Sequence, residues 1–193
     1  MDRNEQWNAR YAQDAFLFGV EPNAFLKRQA SLLRPGLRAL AIADGEGRNG
    51  VWLARQGLDV LSIDVSENAQ AKAAALAQSH GVSLELLLLD VIAWDWPVEA
   101  FDVVAAIFIQ FAGPIERARI FSGIRRSLKP GGLLLLEGYR PEQLDHGTAV
   151  HRPSKTSTRR RCCTMPSPAS KSSSWRSMTP NCRRGRPIRA CRR

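Results

Sequence analysis

The period of the apolar positions switches repeatedly along this chain, and the switches mark its elements. Residues 1 to about 33 have helical spacing, with Trp7, Tyr11, Phe16, Phe18 and Phe25 at apolar positions, and Pro22 stands where a second helix would begin. Pro35-Gly36 ends this region before a first strand at 37–43. A helix over 49–56 is closed by Gly57. A second strand, 58–63, ends at Asp64, and Ser66 suits the N-cap of an alanine-rich helix reaching Ser79, with Gly81 as its stop. The third and fourth strands are 82–89 and 101–109. A helix over 114–128 carries Ile115, Ile120, Ile124 and Leu128, assigned to one face. Lys129 to Gly132 reads as a turn, and 133–139 as the fifth strand.

Three strands contain near-continuous apolar runs (86–89, 103–109 and 133–136), the mark of a parallel sheet covered on both faces. Strands alternating with helices predict an α/β fold: a doubly wound, mostly parallel, Rossmann-like sheet. Ligands in such sheets bind outside the carboxyl ends of the strands, near the switch in strand order. Asp44, Asp64, Asp90 and the 108–111 segment all fall at strand carboxyl ends. The predicted domain is 1–148, with a helical segment at 1–34 and the sheet core at 35–148.

The densest chemistry lies in Ala43-Asp-Gly-Glu-Gly-Arg-Asn-Gly50, a glycine turn between a strand and a helix that opens near Asn49. Gly45 and Gly47 allow φ > 0 and remove side chains that would hold a ligand away. The first N–H groups of the helix point above the turn. Such a turn binds an adenosine-containing cofactor, and two cofactors compete. The glycines satisfy the spacing G-x-G-x-x-G of a nicotinamide dinucleotide site. Asp44 and Glu46 in the turn disfavour a pyrophosphate, and no Tyr-x-x-x-Lys follows. A cationic sulfonium suits an acidic turn. Asp64 is placed to accept two ribose hydroxyls, and Asp90 an adenine amino group, with Val91 beside it.

With these motifs in order, the chain resembles the class I S-adenosylmethionine-dependent methyltransferases, especially the tellurite-resistance and thiopurine types. The turn carries the resemblance together with Leu61-Ser-Ile-Asp-Val-Ser66, Leu89-Asp-Val91, Phe101-Asp-Val-Val104 and Leu128-Lys-Pro-Gly-Gly132. Trp7-Asn-Ala-Arg-Tyr11 and Phe18-Gly-Val-Glu-Pro-Asn23 add to it, and it covers about 5–147. It implies S-adenosylmethionine held by Asp44, Gly45, Gly47, Asn49, Asp64, Val65, Asp90, Val91 and Phe108, and a small-molecule methyl acceptor near Trp7, Tyr11 and Phe18. One position departs from the family: the usual acid two residues before the first turn glycine is Ala43, and the acid stands one step later, at Asp44. Asp44 has two readings: cofactor contact, or a residue that caps the loop or faces solvent. No catalytic base is assigned, because methyl transfer rests mainly on alignment of an acceptor with an activated leaving group.

Other chemistry-bearing residues read as structural. Asp102 opens a strand. His80 sits at a helix end, as do Arg125, Arg126 and Lys129, where cations are favoured. Trp94 and Trp96 are expected to cover the adenine side. No metal site is expected.

Charge divides the chain in two. Residues 1–148 hold all 18 acidic and 15 basic residues, a net of −3, whereas 149–193 hold 13 basic residues, no acid and all four cysteines. This tail has no hydrophobic period. Phosphate binding by a basic tail is one reading, and zinc lacks Cys-x-x-Cys spacing. The favoured reading is a frame break near Thr148. Read one base earlier, Cys162-Cys163 must encode Leu, Met165-Pro166 Ala, Met178-Thr179 Asp and Asn181-Cys182 Leu. One permitted shifted string has an amphipathic helix and an alternating strand, as the family's C-terminal part does. The expected consequences are a disordered tail, a missing C-terminal strand pair, an uncovered apolar edge at 133–136, poor stability and impaired activity. With no apolar run of membrane-spanning length and no secretory leader, the chain reads as a cytoplasmic monomer. Nucleic acid is the disfavoured partner.

Overall fold

Alternation along the central strand builds two cores, one on each face of a single sheet. In β1 (Arg38–Ile42), Leu40 and Ile42 point to one face and Ala39 and Ala41 to the other, because neighbouring strand residues face opposite ways. The computed structural model describes residues 2–139. Its sheet is wholly parallel, in the order β3-β2-β1-β4-β5, with β2 at Asp59–Asp64, β3 at Glu85–Leu88, β4 at Phe101–Ile107 and β5 at Leu128–Glu137. The chain runs outward from β1 through β2 to β3 and then returns to β4 on the other side of β1. The crevice therefore opens between the ends of β1 and β4.

The first face of the sheet packs Leu40, Ile42, Val104 and Leu134 against Ile120 and Ile124 of α5 (Pro114–Ser127). The second packs Ala39, Ala41, Val103 and Leu135 against Leu26 of α2 (Ala24–Arg28) and Trp52 and Leu53 of α3 (Arg48–Arg55). Fully burying each such aliphatic side chain contributes about 1.5–3 kcal/mol. The remaining helices are α1 (Arg3–Tyr11), capped by Asp2 in a capping box with Glu5, and α4 (Glu67–Ser79), capped by Ser66 through the Ala69 N–H.

Several sequence expectations need correction. Pro22 lies outside the second helix; Asn23 is the N-cap, and its side-chain oxygen accepts the Phe25 and Leu26 N–H groups. Ile115 is 75% exposed, because five residues of helix turn it about 140° away from Ile120; the buried face is Ile120, Gly123, Ile124 and Ser127. Residues 129–132 do not separate a helix from a strand. They bulge within β5, between the pairs Phe101–Leu128 and Val103–Leu133. The fourth strand stops at Ile107, since Phe108 takes φ 58. Trp96 is buried in the first core beside Ile120 and Ile124. Neither it nor Trp94 lines the cavity described below.

β5 is an edge strand among the described residues, with Leu134 and Leu135 buried and Leu133 and Leu136 half-buried. The expectations for the tail and for a C-terminal strand pair fall outside the described residues. No helix among the described residues is long and apolar enough to cross a membrane.

Gly123 of α5 lies so close to the Trp96 indole that a Cβ would overlap the ring. Gly123→Ala is expected to lower stability by about 1–3 kcal/mol through overpacking, read as a lower urea midpoint.

Candidate functional site

β1 ends in strain. Ala43 takes φ 48, a region that costs a non-glycine residue roughly 1–3 kcal/mol. It delivers Asp44 beneath the glycine turn, where the carboxylate is buried. Asp44 Oδ2 accepts the Gly50 N–H at 2.9 Å and the Ser62 hydroxyl at 3.1 Å, tying β1, β2 and the first turn of α3 together. Burial pushes this carboxyl up to about 7, against the hydrogen bonds from Gly50 and Ser62. The turn glycines are both left-handed, Gly45 at φ 59 and Gly47 at φ 83. Their bare Cα atoms face neighbours in the fold. A Cβ on Gly45 would lie 2.7 Å from the Tyr11 hydroxyl, and one on Gly47 2.6 Å from Ala73 Cβ of α4.

Asp64, at the end of β2, is buried and bonded to the main chain on both oxygens. Oδ2 accepts the Gly45 N–H at 2.8 Å and Oδ1 the Ser66 N–H at 3.0 Å. Burial raises this carboxyl too, against those backbone hydrogen bonds. The Val65 N–H also reaches this carboxylate, so one of its roughly four lone-pair sites remains for a ligand. Asp90 follows β3 and accepts the Ile92 N–H at 2.9 Å. Arg3 of α1 reaches its other oxygen at 3.8 Å while bonding Glu116 at 3.0 Å.

α1 lies across these strand ends. Asn8 Oδ1 accepts the Ser66 hydroxyl at 2.7 Å and the Asn68 N–H at 3.1 Å, which docks the helix on the start of α4. Trp7 and Tyr11 stack at 5.7 Å, and Phe18 meets Tyr11 edge-on at 6.5 Å. Burial, with Asp64 and Glu46 nearby, pushes the Tyr11 hydroxyl further up and keeps it neutral. The segment after α1 is held by Glu46, which accepts the Leu17 N–H and the Lys72 ammonium, both at 2.8 Å. Arg48 donates to the Phe18 carbonyl at 3.0 Å, with its guanidinium 5.9 Å from the Phe18 ring centre.

Past β4, Phe108 stacks on Tyr139 at 4.5 Å, and Gln110 Nε2 donates to the Tyr139 carbonyl at 2.9 Å. These pieces enclose a cavity of about 180 Å³. Of the residues expected from sequence, Asp44, Asn49, Asp64, Val65, Asp90, Val91 and Phe108 line it, and so do Trp7, Tyr11 and Phe18. Gly45 and Gly47 do not. Asn49 Oδ1 also accepts the Asn23 N–H at 3.0 Å, linking the turn to α2.

Sequence reasoning assigned no role to Arg3, Asn4, Arg48 and Tyr139, which are in the lining, and of the 108–111 strand-end segment it named Phe108 but not Gln110 or Phe111, which line the cavity too. Arg48 stands inside the turn motif and was the one with a readable signal. The place of Arg3 follows only from how α1 docks.

The site is a trough with three carboxylates along one side and aromatic rings over it. Every glycine N–H of the turn is committed: Gly45 to Asp64, Gly50 to the Asp44 side chain and Gly47 to the Asp44 carbonyl. A pyrophosphate bound at a helix start needs such N–H groups free. Carboxylates facing a cavity suit hydroxyl, amino and cationic groups instead.

The family described as "Methyltransferase domain" matches residues 39–132, from within β1 into β5. The chain is similar to a thiopurine S-methyltransferase of Pseudomonas paraeruginosa, 41% identical over 66 residues, which are 33% of this chain and 30% of the relative. It spans between 30% and 45% of the length of the curated relatives it matches. Among solved structures it is similar to the [4+2]-cyclase SpnF, 29% identical with a TM-score of 0.51, over 56% of this chain and 42% of the other. A SAM-dependent methyltransferase of Methanosarcina mazei shares the fold at 23% identity and a TM-score of 0.51, over 65% and 62% of the two chains.

The Asp44 carboxyl has a pH signature. Its folded value of about 7 lies above its ordinary 3.8, so the folded chain holds this proton more tightly than the unfolded one. Its stabilising contribution is full below about pH 4 and is lost as pH rises through 7, with a slope of up to about 1.4 kcal/mol per pH unit. In urea titrations from pH 5 to 8, Asp44→Asn should show a shallower loss of stability than the wild type.

Proposed function

We propose that this chain, whose residues 39–132 match a methyltransferase domain, is a class I S-adenosylmethionine-dependent methyltransferase that transfers a methyl group to a small-molecule acceptor. One structural neighbour is a cyclase, so fold alone does not choose the reaction. The observation that favours this reading is the commitment of the turn's glycine N–H groups to Asp44 and Asp64. It withdraws the turn's glycine donors from the ligand and leaves carboxylates along the cavity, which suits S-adenosylmethionine and disfavours a dinucleotide. The nicotinamide oxidoreductase reading is therefore set aside.

The bound cofactor supplies an activated methyl group on a positive sulfonium with a neutral thioether as leaving group. The chain's residues do the rest by position. Asp64 accepts from a ribose hydroxyl and Asp90 from the adenine amino group, with Val65 and Val91 against the ring. Asn49, Phe108 and the turn at Gly45 and Gly47 set the cofactor's height above the sheet. Asp44 offers negative charge near the methionine end. Trp7, Tyr11 and Phe18 form the wall where the acceptor lies, with Phe111 opposite, and they exclude water. A flat, soft acceptor such as a sulfur on an aromatic ring suits these faces. It needs no base once ionised, and the partial likeness to a thiopurine S-methyltransferase favours it.

We also propose that the chain acts as a cytoplasmic monomer. Residues 149–193 are proposed to be read from a shifted frame rather than to bind nucleic acid, with activity impaired accordingly. An intact gene frame across codon 148, with no shifted likeness, would reject that proposal.

Titration of the full chain with S-adenosylhomocysteine should give saturable binding where NADH gives none. Asp64→Asn should weaken that binding about tenfold or more and also lower the urea midpoint, because its amide nitrogen would face the Gly45 or Ser66 N–H. Saturable NADH binding without S-adenosylhomocysteine binding would reject the cofactor.

A further inference from the structure

Glu46 is an acid of the glycine turn that does not serve the cavity. It stands between Gly45 and Gly47, yet it is buried and is not part of the lining that holds Asp44 and Asp64. Its carboxylate is spent on residues 12–22, the segment joining α1 to α2. Oε2 accepts the Leu17 N–H and Oε1 the Lys72 ammonium, both at 2.8 Å. The same ammonium donates to the Ala15 carbonyl at 2.9 Å and stands 5.6 Å from the Phe16 ring centre. A buried ion pair is a poor source of stability, because desolvation offsets most of the attraction. What this one supplies is position.

The position fixed is that of Phe18. Glu46 holds the main chain just before it, at the Leu17 N–H, and Arg48 holds the chain just after, at the Phe18 carbonyl. Two residues of one turn thus bracket a side chain that lines the cavity. The Arg48 bond is exposed and the Glu46 bond half-buried, so water competes less with the second. Phe18 itself is 39% exposed, and Gly19 takes φ 69 in open space, so local packing holds this segment weakly.

We infer that Glu46 is a positioning residue for the methyl acceptor: from within the glycine turn it holds residues 12–22 so that Phe18 forms the acceptor's wall. The inference rests on the acceptor pocket proposed above. Gly45, beside Glu46, has its N–H on Asp64. The turn that a cavity-facing carboxylate fixes on one side therefore fixes the acceptor wall on the other.

Two measurements on the full chain test it: hydrogen exchange of the amides in residues 12–22, and titration of 5-thio-2-nitrobenzoate, an aromatic thiolate, in saturating S-adenosylhomocysteine. Glu46→Ala should speed that exchange about tenfold or more, the size of a lost bond to a charged group. It should weaken the thiolate about 5- to 20-fold and leave S-adenosylhomocysteine within about twofold. Glu46→Gln keeps an oxygen for the Leu17 N–H and should recover part of both losses. Phe18→Ala should weaken the thiolate to a similar degree, and adding Glu46→Ala to it should cost little more, because Glu46 acts through Phe18. Should Glu46→Ala strand the Lys72 ammonium and unfold the chain, Glu46→Ala with Lys72→Met carries the same comparison. Unchanged exchange, equal weakening of both ligands, or fully additive losses in the double variant with Phe18→Ala would each overturn the inference. A wild-type chain that binds only S-adenosylhomocysteine, or neither ligand, would reject the acceptor class or the cofactor proposed above, and exchange alone would then decide the role of Glu46.

Discussion

A buried carboxylate under the first turn is the constraint from which the site follows. Asp44 reaches the Gly50 N–H and the Ser62 hydroxyl from a strand end that is itself strained at Ala43. Those contacts fix where α3 begins relative to β1 and β2. The start of α3 then sets the positions of Arg48 and Asn49, and Asn49 sets Asn23, the cap of α2. Asp64 repeats the device one strand over, holding the turn from outside through Gly45. Buried polar groups of this kind are costly unless satisfied, and here they are satisfied by the elements they position.

Much of this was legible in the sequence because it depends on local rules. The parallel sheet, its strand ends and the three carboxylates came from period changes and apolar runs, and Ser66 capped α4 as expected. What escaped depended on tertiary packing. The absence of side chains at Gly45 and Gly47 looked like room for a ligand, but the neighbours that fill it, Tyr11 and Ala73, come from α1 and α4. Trp96 looked like a cover for a ligand because nothing local shows that Gly123 lies beneath it. Ile115 was grouped with Ile120 although five residues are not a helical repeat.

The Asp44 position shows how a departure from a family pattern can be absorbed. An acid moved one residue along a strand would be expected to face the opposite side. Here the left-handed turn at Ala43 breaks the strand before Asp44, so alternation no longer governs where it points. The carboxylate borders the cavity while also serving the loop. Cofactor contact and loop capping, which sequence reasoning set against each other, are compatible in one side chain.

The docking of α1 has a kinetic meaning. Besides the buried Tyr11 ring against Gly45, its contacts with the strand ends are polar: Arg3 to Glu116 and Asp90, and Asn8 to Ser66 and Asn68. Its aromatic side chains, Trp7 and Tyr11, line the cavity. A ligand that must displace those contacts on arrival must displace them again on leaving. Both rate constants then fall together while their ratio holds. A ligand passing α1 would thus have a residence time governed by this nine-residue helix rather than by its affinity alone.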